Sequence, residues 1–443
     1  MLSDGVRLFG TDGVRGVANL ELTPELALEI GRAAGSLLGS GPALVGRDTR
    51  RSGEMLSSAL QAGFHSAGVD TVDVGILPSG GISYLTATTG ARMGAVVSAS
   101  HNPAADNGIK LLGGDGTKLS DADEDDIEAR LRRRTSSAVP FGAEVGTRFD
   151  APQGFDTYIE ALVAGSSYSF RGIPVTLDCA NGAAYRAAPA LFSRLKTDLE
   201  VVAADPTGMN INDGCGATHP EVLAARTRGR IGLAFDGDAD RLIAVDEEGA
   251  VVNGDVVMAI IARHWKAAGK LKNNVVVATV MSNLGFRKAM DALGIELIQT
   301  RVGDRYVLEA MRERKAILGG EQSGHVIFLD RGRTGDGLLT AVRLLEVVAG
   351  TGERLSALRA TAMVEYPQVL INVPVHRRDA LDGAEAVWDS VKAVEADMNG
   401  DGRVLVRASG TEPLVRVMVE ASHEDAARRY ADDIAAVVAA TLG

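Results

Sequence analysis

The chain has 443 residues, 46% of them hydrophobic and 23% charged, a globular composition with enough apolar residues for roughly three domains. Its formal net charge of −12 argues against nucleic acid or an acidic membrane as a partner, because both bind basic protein surfaces. Two cysteines, Cys179 and Cys215, are too few for a disulfide scaffold or a cysteine-based zinc site.

The apolar runs are too short for a secretion signal or a membrane span. Asp4 and Arg7 stand near the N-terminus, where a secretion signal would place an uninterrupted apolar core. The run VVMAIIA is soon followed by Arg263 and His264, far short of the ~20 residues that cross a bilayer. We therefore expect a soluble, cytoplasmic protein with no membrane partner.

Helix-like and strand-like segments alternate along most of the chain, which predicts α/β domains with largely parallel sheets. We expect the first helix to begin at Pro24 with Thr23 as its N-cap, and Ser52 to cap the second helix. The segment SDADEDDIEARLRRR has its acids early and its arginines late, as the helix dipole favours, and predicts a solvated helix. After Pro367, a strand, a helix, a hairpin-like pair of strands and a closing helix predict a small α+β domain.

Three motifs share one pattern, an apolar strand that runs into a short polar loop and then into another apolar stretch. Their sequences are SASHNPAADNGIK, FDGDADRLIAV and GGEQSGHVIFL. Ligands of α/β sheets bind outside the carboxyl ends of the strands, so three related domains could surround one ligand with these loops. We expect four domains, at residues 1–150, 151–253, 254–366 and 367–443.

The second loop places Asp236, Asp238 and Asp240 at alternate positions after a strand, where an extended backbone would point all three carboxylates the same way. Such carboxylates repel one another unless a cation holds them, and an all-oxygen set suits a hard ion such as Mg²⁺. An EF-hand is excluded, because Arg241 stands where its loop needs glycine. A solvated acidic turn stays an alternative. Arg241 could balance the carboxylates, bind a substrate phosphate or form a structural ion pair.

Near the C-terminus, RASGTEPLVRV gathers two hydroxyl groups, a glycine and two arginines at a hairpin-like turn. The glycine lets the backbone approach an anion, hydroxyl and backbone N–H groups donate hydrogen bonds, and arginine can bind two phosphate oxygens at once. An ordinary turn with flanking surface arginines is the alternative. The candidate phosphate-binding residues are Arg407, Ser409, Gly410, Thr411 and Arg416.

The third loop places Glu321, Ser323 and His325 on a glycine-flanked turn. Glutamate and serine suit the hydroxyl groups of a sugar, and histidine can bind a ligand or move protons near neutral pH. A purely structural histidine is the alternative.

Ser100 and His101 invite comparison with a hydrolase, but neighbouring side chains diverge and a triad base comes from a distant part of the chain. No G-x-S-x-G turn surrounds the serine. A serine near a divalent ion and a phosphate-binding loop instead indicates phosphoryl transfer, in which positioning and charge stabilisation supply most of the catalysis. Lys110 could neutralise phosphate oxygens or assist proton transfer at Ser100.

Five motifs together resemble the α-D-phosphohexomutase superfamily. They are FGTDGVRG, SASHNP, DGDADR, GEQSGH and RASGTEP, and they extend from Phe9 to Arg416. Within the superfamily the chain is most similar to the bacterial phosphoglucosamine mutase branch, through FGTDGVRG, Gln322 and INDGCGATHPE at Ile211–Glu221. Phosphomannomutase/phosphoglucomutase relatives usually have methionine at the position of Gln322.

The resemblance implies three related α/β domains and a C-terminal α+β domain like the TATA-binding protein, arranged around a central active-site cleft. It implies that Ser100 carries a phosphoryl group and that one Mg²⁺ is held by the Ser100 phosphate with Asp236, Asp238 and Asp240. Phosphoserine would donate its group to glucosamine 6-phosphate, giving glucosamine 1,6-bisphosphate as intermediate and activator. Return of the other phosphate to Ser100 would release glucosamine 1-phosphate, a precursor for UDP-N-acetylglucosamine and peptidoglycan.

The resemblance also assigns roles to the remaining candidates. Arg15 and Lys110 would lie beside the transferring phosphoryl group, and His101 would shape the loop or contact the phosphate. The C-terminal residues would bind the phosphate that is not being transferred. The sugar contacts would come from Glu321 and Ser323 with His325 nearby, and from Gly303, Asp304 and Arg305 in VGDRYV.

Other functions remain alternatives at this point. One is a phosphoglucomutase/phosphomannomutase with the same chemistry, and a more remote one is a non-catalytic sugar-phosphate sensor, which would have lost the serine or an aspartate. The sequence leaves open whether a kinase or autophosphorylation first phosphorylates Ser100. It also leaves open the oligomeric state, with a homodimer as one alternative.

Overall fold

The computed structural model describes residues 7–10, 12–37, 41–133, 140–409 and 413–443. The chain divides into two compact units. The first combines Met1–Met281 with Ile295–Ala360, and the second combines Ser282–Gly294 with Thr361–Gly443.

The first sheet of the first unit has six strands in the order β1-β5-β4-β2-β3-β6. Its strands are β1 (Val14–Val17), β2 (Ala43–Arg47), β3 (Thr71–Ile76), β4 (Met93–Val97), β5 (Asp106–Gly113) and β6 (Arg148–Asp150). The helices of this segment are α1 (Pro24–Gly35), α2 (Gly53–Ser66), α3 (Ser79–Thr88) and α4 (Asp121–Arg133). Strands β6, β3, β2 and β4 pair in parallel, whereas β5 runs antiparallel to both β4 and β1.

The two predicted N-caps have different outcomes. Thr23 caps α1, its Oγ1 accepting a hydrogen bond from the Leu26 N–H at 3.2 Å. Ser52 occupies the N-cap position of α2, as predicted, but its side chain makes no capping hydrogen bond. Its backbone is already helical, and its hydroxyl oxygen accepts a hydrogen bond from Asn107 Nδ2 at 2.9 Å instead.

The second sheet has five strands in the order β11-β10-β9-β7-β8. Its strands are β7 (Pro174–Asp178), β8 (Asp198–Val202), β9 (Ile231–Phe235), β10 (Leu242–Val245) and β11 (Val251–Val252). The helices of this segment are α5 (Gly154–Ala164), α6 (Ala184–Arg194) and α7 (Pro220–Ala224). Strands β8, β7 and β9 are parallel, and β10 turns back antiparallel to β9.

The third sheet has four strands in the order β13-β12-β14-β15. Its strands are β12 (Val275–Thr279), β13 (Glu296–Thr300), β14 (Leu318–Gly320) and β15 (Val326–Phe328). The helices of this segment are α8 (Gly254–Ala267), α9 (Leu284–Ala292), α10 (Asp304–Arg314), α11 (Gly337–Thr351) and α12 (Leu355–Ala362). Strand β12 is parallel to β13 and β14, and β15 is antiparallel to β14.

The second unit is built on a three-stranded antiparallel sheet in the order β16-β18-β17. Its elements, besides α9, are β16 (Gln368–Pro374), α13 (Glu385–Met398), β17 (Gly402–Ala408), β18 (Leu414–Ala421) and α14 (Glu424–Leu442). Alternate residues of β18, including Val415, Val417 and Val419, are buried in a core that α13 and α14 complete. This period of two is what one buried sheet face requires. The predicted α+β domain is confirmed.

The three motif-bearing loops occupy equivalent places in their sheets. Each joins a strand to an antiparallel neighbour, β4 to β5, β9 to β10 and β14 to β15. A parallel crossover needs roughly a dozen residues or more, so loops as short as these return the chain as hairpins. The sheets are therefore mixed, with parallel interiors and antiparallel strands beside the loops. Among the described residues, no helix is both long and apolar enough to cross a membrane.

Candidate active site

The three hairpin loops meet in the first unit. The Ser100 Oγ donates a hydrogen bond of 2.5 Å to Asp236 Oδ2, which joins the first loop to the second. The backbones of Arg241 and His325 form an isolated β-bridge, which joins the second loop to the third. The prediction that these loops gather at one place is thus matched by direct contacts.

Ser100 occupies an unusual backbone position three residues after the end of β4. Its φ is 50°, in the left-handed region that non-glycine residues seldom adopt, and the residue is only 1% exposed. Its N–H donates to Ser98 Oγ at 2.9 Å. Strain of this kind persists only where surrounding contacts fix the backbone, and it is concentrated at functional sites.

The aspartates of the second loop converge through a turn. Asp236, Asp238 and Asp240 are buried, and one carboxylate oxygen of each lies within 4.8 Å of the others. The prediction of an extended backbone is wrong, because the Ala239 N–H bonds back to the Asp236 carbonyl and Ala239 has a φ of 57°. The turn brings the side chains together more closely than strand geometry would.

These carboxylates are electrostatically unequal. Burial, with repulsion from Asp240 and Asp238, raises the pKa of Asp236 well above its ordinary value. Burial alone would raise the pKa of Asp240 too, but Lys110, His325 and Arg241 outweigh burial and lower the pKa of that carboxyl. Within the described part of the chain, the Oδ1 atoms of Asp238 and Asp240 are buried without a hydrogen-bond partner. A buried, all-oxygen set with unpartnered acceptors fits a hard divalent cation.

Lys110 reaches this cluster from β5. Its Nζ lies 3.2 Å from Asp238 Oδ2, 3.3 Å from Asp240 Oδ2 and 3.3 Å from Asp12 Oδ1. Burial alone would lower the pKa of Lys110, but these three carboxylates raise it well above its ordinary value. Lys110 is therefore protonated at neutral pH.

A second lysine extends the charge network. Lys118 Nζ lies 2.7 Å from Asp12 Oδ1 and 2.7 Å from Asp304 Oδ2, which links the first domain segment to the start of α10. Burial raises the pKa of Asp12, but Lys110, Lys118 and Arg15 together lower it well below its ordinary value. Alternating charges thus run from the aspartate cluster to Asp304.

Arg15 lies beside the serine loop, which joins β4 to β5, and His101 is part of that loop. Arg15 pairs with Asp12, and its Nη1 donates to Asn102 Oδ1 at 3.1 Å. Burial, followed by the charges of Arg241 and Arg15, lowers the pKa of His101 to about 4. His101 is therefore neutral at physiological pH.

The third loop contacts the VGDRYV segment. The Gly303 N–H donates to Glu321 Oε1 at 3.2 Å, and Gly303 has a φ of 130°, a conformation that L side chains rarely adopt. His325 is buried, with Nε2 at 3.7 Å from Asp304 Oδ2 and 3.9 Å from Asp240 Oδ2. Ser323 is exposed beside them.

Two arginines near the site have different environments. Arg241 Nε lies 3.8 Å from Asp240 Oδ1 and 4.0 Å from Asp236 Oδ2, so this side chain balances the carboxylates. Arg305 instead forms ion pairs with Asp121 and Glu124 of α4. These ion pairs join α10 to α4.

The basic candidates of the C-terminal motif lie in the second unit. Arg407 and Arg416 are directly opposite each other on β17 and β18. Burial, and then the charge of Arg416, lowers the pKa of Arg407. Ser409 is buried, and its carbonyl accepts a hydrogen bond from Arg378 Nη1 at 3.1 Å. Gly410 and Thr411 lie outside the described residues.

Several residues at the site escaped sequence reasoning. Ser79 begins α3 and donates from Oγ to Asp238 Oδ2 at 2.6 Å. Asp12 and Asn212 fall inside two of the motifs above, and Arg50 follows β2 as closely as Ser79 follows β3, whereas Lys118 had no such signal. Position at the carboxyl end of β3 could have identified Ser79.

Comparisons with known proteins agree with this geometry. The four domain models described as phosphoglucomutase/phosphomannomutase match in order, alpha/beta/alpha domains I, II and III at residues 6–138, 156–249 and 253–366 and the C-terminal domain at residues 370–437. The chain belongs to the phosphoglucomutase/phosphomannomutase family. This confirms the superfamily resemblance predicted from the five motifs, and with it the predicted fold class.

Individual relatives cover almost the whole chain. A phosphoglucosamine mutase of Halalkalibacterium halodurans is 50% identical over 99% of both chains. The crystal structure of a phosphoglucomutase/phosphomannomutase family protein from Burkholderia thailandensis has a TM-score of 0.82 and 28% identity, covering 98% of this chain and 97% of its own. Aspergillus fumigatus N-acetylphosphoglucosamine mutase, solved with GlcNAc-6P and magnesium, has a TM-score of 0.71 at 18% identity, covering 98% and 96%.

Proposed function

We propose that the chain is a phosphoglucosamine mutase, an enzyme that interconverts glucosamine 6-phosphate and glucosamine 1-phosphate. The observation that carries the proposal is the hydrogen bond of 2.5 Å between a strained, buried Ser100 and Asp236 of a three-aspartate cluster. Relatives that bear this activity in their names are 50% identical over 99% of the chain. The product is a precursor for activated amino sugars of the cell wall.

Ser100 is the phosphoryl carrier in this proposal. In the first half-reaction, the bond between phosphorus and Ser100 Oγ breaks, and a bond to O1 of glucosamine 6-phosphate forms. The resulting 1,6-bisphosphate reorients, its O6–phosphorus bond breaks, and Ser100 Oγ takes that group. Each cycle restores phosphoserine and releases glucosamine 1-phosphate, so neither water nor a nucleotide is consumed.

The surrounding charges have defined roles in this chemistry. Lys110, which is protonated because three carboxylates surround it, neutralises phosphoryl oxygens and donates a proton toward the leaving oxygen. Arg15 binds the phosphoryl group beside the serine loop, and neutral His101 shapes that loop. His325, whose Nε2 lies 3.7 Å from Asp304 Oδ2, takes the proton of the attacking hydroxyl.

The aspartate cluster fits a magnesium ion. Asp236, Asp238 and Asp240 would hold it, together with a phosphate oxygen on Ser100. When bound, Mg²⁺ supplies charge stabilisation to the phosphoryl group. The buried Oδ1 atoms of Asp238 and Asp240 support this assignment, since within the described residues they have no hydrogen-bond partner.

Sugar and phosphate recognition complete the proposal. Glu321 and Ser323, with Gly303 and Asp304, bind sugar hydroxyl groups. The phosphate that is not being transferred is bound by Arg407, Ser409, Gly410, Thr411 and Arg416. Like charges placed opposite each other on neighbouring strands destabilise a sheet, so the facing arginines Arg407 and Arg416 favour a site for an anion. One fixed phosphate site and one reactive site suit a substrate that binds in two orientations.

Four domains, at residues 1–150, 151–253, 254–366 and 367–443, remain our division of the chain. We retain cytoplasmic location, a homodimer, and priming of Ser100 by a kinase or by autophosphorylation as hypotheses about the protein in the cell.

The test is turnover with glucosamine 1,6-bisphosphate present as activator. Ser100→Ala should abolish turnover, whereas Ser169→Ala, at an exposed serine, should retain it. Chelation of divalent metal should remove activity, and Mg²⁺ should restore it. Retained turnover in Ser100→Ala would refute the phosphoserine scheme, and faster conversion of glucose or mannose phosphates would reassign the substrate to a phosphoglucomutase/phosphomannomutase.

A further inference from the structure

We propose that Arg50 and Asn212 are positioning residues that hold Ser100 in its strained backbone conformation by donating hydrogen bonds to the same two carbonyl groups. The inference rests on the proposed role of Ser100 as phosphoryl carrier. It assigns a task to Asn212, which lies in the INDGCGATHPE motif and otherwise has no role in the chemistry above.

The guanidinium of Arg50 is enclosed by the serine loop. Its Nη2 donates to the carbonyls of Ser100 at 2.9 Å and Asn102 at 2.8 Å. Its Nη1 donates to the Asp106 carbonyl at 2.9 Å and to the Pro103 carbonyl. The side chain of Arg50 is 0% exposed. Four carbonyls of one loop therefore converge on a single side chain.

The remaining donor of Arg50, Nε, is linked to the backbone N–H of Ser100 through two other side chains. Nε donates to Asp48 Oδ2 at 2.9 Å, and the same oxygen accepts from Ser98 Oγ at 2.6 Å. Ser98 Oγ in turn accepts the N–H of Ser100 at 2.9 Å. Both backbone polar groups of Ser100 are thereby tied to one buried ion pair. All five guanidinium N–H groups have acceptors, an arrangement that a lysine cannot reproduce.

Asn212 approaches from the segment that precedes β9. Its Nδ2 donates to the Ser100 carbonyl at 2.9 Å and to the Asn102 carbonyl at 3.1 Å. The Asn212 N–H donates to the Ala180 carbonyl at 2.9 Å, which fixes the residue to the second sheet's loops. Each of the two loop carbonyls thus receives one bond from Arg50 and one from Asn212.

This arrangement sets where the Ser100 hydroxyl points. A φ of 50° is unfavourable for serine, so the loop needs contacts that compensate for it. Arg50 fixes the position of the loop relative to the first sheet, and Asn212 fixes it relative to the segment that bears Asp236. The hydrogen bonds by which both side chains hold the loop go to carbonyl oxygens and not to Ser100 Oγ, and so both act through the position of the serine.

The experiment distinguishes an effect on the position of Ser100 from a general loss of folding stability. The variants are Arg50→Lys, which keeps the charge but loses the paired donors, and Asn212→Ala, a milder change. Arg230→Lys is the matched control, since Arg230 Nη2 also donates to a carbonyl, that of Val175 at 3.0 Å, away from the serine loop. The readouts are the rate of Ser100 labelling by glucosamine 1,6-bisphosphate carrying ³²P, kcat, and the Kd of glucosamine 6-phosphate.

The expected result is a loss of about 100-fold in labelling rate and kcat for Arg50→Lys and about tenfold for Asn212→Ala. The Kd should stay within about twofold, because substrate contacts are untouched. Arg230→Lys should label at the wild-type rate even where its melting temperature falls. Wild-type labelling rates in folded Asn212→Ala and Arg50→Lys would overturn the inference, and Asn212→Ala decides it alone if Arg50→Lys does not fold. Failure of wild-type Ser100 to accept label would instead remove the proposed function, and this inference with it.

Discussion

The close approach of the aspartate loop to Ser100 makes Gly237 a sensitive position. A Cβ added there would lie 2.4 Å from the Ser100 carbonyl oxygen, 2.9 Å from Ile211 Cδ1 and 3.0 Å from Asn212 Nδ2. Restoring the carbonyl contact from 2.4 Å to an ordinary 3.4 Å requires the two loops to separate by about 1 Å. A misplacement of about 1 Å in a phosphoryl-transfer site can cost roughly 100-fold in rate, and overpacking costs about 1–3 kcal/mol in stability.

Gly237→Ala should therefore lower kcat by about 100-fold with a smaller change in KM. Steady-state kinetics and urea denaturation measure the two effects. The matched control is Gly232→Ala on β9, where the atoms nearest to an added Cβ belong to the side chains of Leu223 and Val245, at 3.0 Å. The control should lose stability but keep kcat. Equal loss of kcat in both variants, or none in Gly237→Ala, would refute the argument from loop spacing.

Three further predictions test the charge distribution. Asp336 is the buried N-cap of α11, and burial raises its pKa from 3.8 to about 6. Its contribution to stability is therefore present at low pH and lost as pH rises through about 6. The free energy of unfolding of Asp336→Asn, relative to wild type, should rise by on the order of 3 kcal/mol between about pH 4 and pH 7. If denaturation curves showed that this difference does not change with pH, the prediction would be contradicted. Lys118→Met should lower the free energy of unfolding by about 3 kcal/mol, because it leaves the largely buried Asp304 without this partner. Adding Asp304→Asn should restore part of that loss. Losses that simply add in urea denaturation would show that the two residues are not coupled. Arg407→Leu removes repulsion with Arg416 and should stabilise the protein by up to about 1 kcal/mol while raising KM; an unchanged KM would argue against an anion site there.

Local pattern was enough to predict the elements of the fold. Alternating apolar residues identified β17 and β18, and Thr23 with Pro24 identified the start of α1. The sequence also predicted that Ser100 and the three aspartates share one site, because their chemistry is concentrated within short motifs, and the structure brings these side chains together. Such features depend on residues close in the chain, and physical rules act on them directly.

Long-range pairings could not be predicted in the same way. Lys118 contacts Asp304 across 186 positions, and Asn212 contacts Ser100 across 112. Nothing in either local sequence specifies such a partner. Ser52 illustrates a different limit. Its hydroxyl group is suited to cap α2, but it accepts a hydrogen bond from Asn107 of β5 instead. Tertiary contacts override local preference at such positions.

The central claim is that Ser100 carries the phosphoryl group between two positions of the sugar. The most direct measurement is a single turnover in which enzyme labelled with ³²P at Ser100 is mixed with excess unlabelled glucosamine 6-phosphate and quenched at successive times. The account predicts that label leaves Ser100, appears first in glucosamine 1,6-bisphosphate and then in glucosamine 1-phosphate, at rates no slower than kcat. Turnover of substrate while the label stays on the protein would contradict it.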